Sequence, residues 1–140
     1  MKKAVALAAL ALPLLAARAG SGVDVQQPWV RTTVAGQTTT GAYMTVTSAR
    51  GGTLVGVSSP VASSVEVHEM KMDGDIMRMR SLDTLALPAG QKVEFKPNAY
   101  HLMMLGLKHP VKPGDVVPIT LTVKDAAGKE ETVDVRAPAR

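Results

Sequence analysis

The sequence predicts an all-β fold of the sandwich or barrel type, and three observations predict it. Beyond the first 19 residues the chain divides into short runs rich in Val, Thr, Ile and Leu, punctuated by Gly, Pro, Asp and Ser. None of these runs sustains the 3.6-residue apolar period of an amphipathic helix. Several alternate apolar and polar residues, the two-residue period of a half-buried strand. Many short strands at this spacing pack through hairpin and Greek-key connections.

The elements follow in order. Strands are expected over residues 23–31, 41–47, 53–57, 64–72, 75–80, 92–96, 101–107, 116–124 and 131–136. The Thr- and Gly-rich piece 32–40 reads as the loop between the first two strands, and Gly51 with Gly52 turns into the third. Asp73 and Gly74 join the fourth strand to the fifth. Pro88 with Gly90, and Pro97 with Asn98, bracket the sixth; Pro113, Gly114 and Asp115 precede the eighth; Ala127, Gly128 and Lys129 precede the ninth. Gly, Pro and Asn punctuate because they supply the dihedral angles that turns require. There is no internal repeat and no linker, so residues 20–140 are expected to form a single domain.

The first 19 residues are of another kind. Lys2 and Lys3 precede an uncharged run over residues 4–17, which ends in Ala17, Arg18 and Ala19. A basic start, a short apolar stretch and an A-x-A site make a secretory signal peptide, residues 1–19. Spanning a bilayer takes about 20 apolar residues, and Pro13 interrupts this run. Stable membrane insertion after cleavage is therefore not expected, and with no cysteine after the run neither is a lipid anchor. Cleavage removes Lys2, Lys3 and Arg18 and leaves 13 basic against 12 acidic residues, net +1 rather than +4. A nucleic-acid partner would want a basic stripe with stacking aromatics. The exported chain has neither, and the whole sequence carries only four aromatic residues.

Sulfur is distributed unusually, with eight Met and no Cys. The absence of cysteine excludes disulfides, thiolate zinc sites, Cys-ligated clusters and a cysteine nucleophile. Four of the methionines lie between residues 70 and 79. Strand alternation puts Glu66, His68, Met70 and Met72 on one face and Val65 and Val67 on the other. Asp73-Gly74 is a strong signal for a two-residue type I′ hairpin. Centred there, it sets Met72 opposite Asp75, Met70 opposite Met77 and His68 opposite Met79. His101 and Met103 share a face of another strand, with Leu102 and Met104 turned toward the core. If the two His-plus-Met pairs meet, two imidazoles and two thioethers form a soft, neutral set that selects Cu(I). Zinc seldom takes thioether, and a blue-copper site needs a thiolate. Met44 reads as core, His109 as a solvated loop residue, Glu69 as solvated, and Glu66 as a possible partner of His68. Lys71, Arg78 and Arg80 read as an ordinary solvated strand face.

At these residues the sequence resembles the PCu(A)C family of periplasmic copper chaperones. His68, Met79, His101 and Met103 match its H-x10-M-x21-H-x-M pattern at every ligand position. The text around Trp29, Tyr43, Met70 and Tyr100 matches as well. The resemblance implies a cupredoxin-like Greek-key β-sandwich holding Cu(I) through His68, Met79, His101 and Met103, with Met70 as a secondary candidate. It implies a periplasmic metallochaperone, not an enzyme, delivering copper for assembly of the CuA centre of cytochrome c oxidase subunit II. Sco-type copper proteins would be neighbouring factors. Some relatives carry a His/Met-rich C-terminal extension, and the sequence ends at Arg140 without one. A monomer is expected, or a metal-linked dimer. Three other readings compete: a metal-free exported interaction module, a copper-buffering or resistance protein without a specific oxidase acceptor, and a copper enzyme.

Overall fold

The computed structural model describes residues 22–140. The expected signal peptide lies outside the described residues. Those residues form ten strands and no helix.

The strands divide between two sheets. The larger contains β1 (Val23–Val30), β2 (Thr39–Ser48), β8 (His101–Leu107), β4 (Ala62–Asp73) and β5 (Ile76–Leu82) in that spatial order, with β7 (Lys92–Phe95) also paired to β2. The smaller runs β10 (Glu130–Pro138), β9 (Val116–Lys124), β3 (Gly52–Ser58) and β6 (Leu85–Leu87). All ladders between these strands are antiparallel.

The sheets pack face to face through an aliphatic core. The larger contributes Met44, Val46, Val67, Leu102 and Met104; the smaller contributes Leu54, Leu87, Ile119, Leu121 and Val123. Met44 and Met104 are thus core methionines, as expected. Burying such side chains is worth about 1.5–3 kcal/mol each, which is how a chain with four aromatic residues still builds a core.

Three sequence expectations are corrected. β6 was not anticipated: three residues are too short to show a period, although Leu85 and Leu87 face inward around exposed Ala86. β2 begins at Thr39, inside the expected loop, because Thr39 and Thr40 pair with Leu105 and Met104. The β4–β5 hairpin is displaced by two residues. Asp73 pairs with Ile76, so Gly74 and Asp75 form the loop. Gly74 has φ +68°, and Asp75 is not among the residues with positive φ. That is the demand of a II′ turn, glycine first, whereas a I′ turn over Asp73-Gly74 would also force Asp73 to positive φ. The chain takes the turn that asks this conformation only of glycine.

Candidate metal centre

Three ladders bring the expected residues together on the outer face of the larger sheet. β4 pairs with β8 so that His68 lies opposite His101 and Glu66 opposite Met103. β4 pairs with β5 so that Met70 lies opposite Met79 and Met72 opposite Met77. β8 pairs with β2 so that Met103 lies opposite Gly41. Val67, Leu102 and Met104 point into the core, so the alternating residues 68, 101 and 103 point away from it.

The register correction changes the partner of His68 without changing its face. Ser81 stands directly opposite, and Met79 stands on the diagonal. The diagonal still gives contact: His68 Nδ1 is 3.1 Å from Met79 Sδ. The two imidazole rings meet edge to face with centroids 5.6 Å apart.

The hydrogen bonds define which nitrogens are free. His68 Nε2 lies 2.9 Å from Glu66 Oε1. A carboxylate only accepts, so Nε2–H donates to it, and Nδ1 is the nitrogen whose lone pair a neutral ring would offer to a metal. That nitrogen faces the Met79 sulfur. His101 Nδ1 lies 3.1 Å from the Ala99 carbonyl. Nδ1–H donates there, so Nε2 is the nitrogen a neutral ring would offer to a metal. Each histidine is thus held in one tautomer by an acceptor behind it, the arrangement typical of metal-binding imidazole.

His101, Met70, Met79 and Met103 line one open depression of about 320 Å³, together with Arg31, Tyr43 and Asn98. His101 is 7% exposed, and the His68 side chain is 14% exposed. Met70 and Met103 are half-buried, and Met79 is 48% exposed. The donor set therefore grades from a sheltered nitrogen to an open sulfur.

Sequence reasoning did not find the wall beside Met103. A bulge at Gln27, φ +53°, shifts the β1 register and brings Trp29 beside Tyr43, with ring centroids 4.6 Å apart. Arg31 lies over the Tyr43 ring and Arg140 over Trp29, at 5.7 and 4.5 Å. Tyr43 in turn lies across Gly41, where a Cβ would overlap its hydroxyl and sit 2.8 Å from Cζ. The Ala99 carbonyl was also missed, since it depends on the turn after Lys96 in which Asn98 takes φ +69°.

Other expectations resolve more simply. His109 is exposed, with Nδ1 donating to the Pro110 carbonyl. Glu69 is not freely solvated: its side chain is 23% exposed and its carboxylate accepts from Arg80 Nε at 2.9 Å. Arg78 pairs with Asp73 at 3.0 Å. Two of the three hairpin cations are therefore engaged within the hairpin's opposite face.

Comparison with known proteins adds the lineage. The family model "LpqE-like: Putative lipoprotein LpqE-like" matches residues 23–138. The chain belongs to the LpqE-like family. It is 31% identical over 118 residues to "Putative lipoprotein Lxx21020" of Leifsonia xyli subsp. xyli, covering 82% of this chain and 70% of that one. It is 32% identical over 123 residues to protein RP573 of Rickettsia prowazekii, covering 84% and 68%. Among solved structures, this LpqE-like chain superimposes on the Cu(I) form of DR1885 from Deinococcus radiodurans with TM-score 0.63 and 30% identity, over 83% of this chain and 76% of that one. It superimposes on the copper-bound PCuAC domain of PmoF2 with TM-score 0.64 and 24% identity, over 85% and 94%. The LpqE-like chain thus has the cupredoxin-like β fold of PCuAC domains.

Proposed function

We propose that this protein is an exported, periplasmic Cu(I) carrier that binds the ion through His68, Met79, His101 and Met103, with Met70 beside them. Its destination is the CuA centre of cytochrome c oxidase subunit II, with Sco-type copper proteins as neighbouring factors. One observation carries the reading. His68 Nδ1 and Met79 Sδ lie 3.1 Å apart, close enough for one soft cation beside them to take both as donors. The opposed ring of His101 and the sulfur of Met103 complete a set of two nitrogens and two thioethers. Such a set favours Cu(I) over hard divalent ions and over zinc. Copper binding by DR1885 and PmoF2, on the same fold, supports it.

The chemistry is ligand exchange. All four donors are neutral, so no proton need leave a methionine and no redox change is required. Met79 is the most exposed donor and His101 the least. An acceptor thiolate therefore displaces the Met79 thioether first, and the histidines release last. The ion passes between proteins without entering water. Glu66 holds His68 in its donor tautomer throughout.

Competition of the protein against a strong Cu(I) chelator, with X-ray absorption at the copper edge, tests this. The expected shell contains both nitrogen and sulfur, and the metal moves to an apo CuA domain on mixing. A shell of nitrogen and oxygen alone, or no retention against the chelator, overturns the ligand set. Retention without delivery overturns the proposed destination.

A further inference from the structure

The β4–β5 hairpin carries more sulfur on the site face than a four-donor site uses. Met70 and Met79 form one cross-strand pair, and Met72 and Met77 form the next pair outward. The pair that closes a two-residue loop, here Asp73 and Ile76, exchanges hydrogen bonds, and pairs alternate from there. Both methionine pairs are therefore of the non-hydrogen-bonded kind, in which opposed side chains come closest, with Cβ atoms about 4.5–5.5 Å apart. Met72 is 56% exposed and Met77 48% exposed, so neither fills the core.

An exposed apolar cluster on a small protein calls for a use. Leucine or valine would serve an apolar contact, and a β-branched residue would suit the strand better. What methionine adds is a soft sulfur that is never protonated. Read outward from the sandwich, the face presents His101 and His68, then Met70 with Met79, then Met72 with Met77 at the tip. Donors become softer and more exposed along that line. Met79 belongs to both ends of it, touching His68 and standing opposite Met70.

We infer that Met72 and Met77 form a second Cu(I) station, weaker than the main site, through which the ion enters along the Met70–Met79 pair. Two thioethers suit a soft monovalent ion, and the absence of imidazole makes the station the weaker of the two. The step is exchange of one thioether for another at constant oxidation state. This inference rests on the proposed main site.

The test uses Ag(I), a soft monovalent ion that does not cycle its oxidation state, and ¹³C-methyl methionine NMR of the protein. Single Met→Leu variants assign the methyl signals. The first equivalent is expected to shift Met79 and Met103, and the second to shift Met72 and Met77. In the double variant Met72→Leu/Met77→Leu, which keeps the apolar surface and removes the sulfurs, the second equivalent is lost and the first is retained. Unmoved Met72 and Met77 methyls at the second equivalent overturn the inference, as does a double variant that still takes two ions. A first equivalent that bypasses Met79 and Met103 overturns the main site instead, so the two failures are distinguishable.

Discussion

Glu66 accepts a hydrogen bond from His68 at 2.9 Å across two residues of one strand. Both side chains lie on the same face because strand side chains repeat every second residue. The carboxylate orients the ring and so presents Nδ1 to Met79. Losing an acceptor behind a metal-binding histidine typically costs about 10–100-fold in affinity. Glu66→Ala is expected to weaken Cu(I) binding within that range, and Glu66→Gln to recover part of it through the amide oxygen. Glu69→Ala, on the opposite face, should leave affinity unchanged in the same chelator competition.

Met79→Leu separates ligation from packing. Its side chain is 48% exposed, and surface substitutions of this kind usually change stability by less than about 0.5 kcal/mol. The melting temperature should hold. The copper-edge spectrum should lose part of its sulfur shell, and the protein should surrender Cu(I) to the chelator more readily.

Met103 and Met104 are neighbours with opposite fates. Met104 is fully buried in the core, while Met103 is half-buried in the depression. Truncating a buried methionine leaves a cavity and costs about 2–5 kcal/mol. Met104→Ala should lower the denaturant midpoint by a corresponding amount while the remaining folded protein still binds metal. Met103→Ala should do the reverse, with weak binding and a smaller loss of stability.

Gly41→Ala tests the wall of the depression. The added methyl meets the Tyr43 ring, which must move. Forcing an extra carbon into a packed position typically costs about 1–3 kcal/mol. Because Gly41 stands opposite Met103, the displaced ring should also alter copper affinity. Thermal denaturation and chelator competition measure the two effects on one sample.

Residue alternation alone placed His68, Met70 and Met72 on one face and His101 with Met103 on another strand's face. It also turned Met104 and Leu102 inward. The hairpin register shows where that reading stops. A slip of two residues returns every side chain to its own face, so the apolar pattern is blind to it. The backbone of Gly74 decided it, and with it the pairs Met70–Met79 and Met72–Met77.

The sequence by itself determined the strand character of the chain, the facing of each proposed donor and the chemical softness of that proposed set. These follow from local geometry and side-chain chemistry. Only the tertiary structure decided that β8 inserts between β2 and β4, which sets His68 opposite His101 although they lie 33 residues apart. It likewise brought the Ala99 carbonyl behind His101 and the Tyr43 ring beside Met103. Such contacts join segments distant in sequence or depend on turn dihedrals. They are settled by how two sheets bury a shared core, which no local period records.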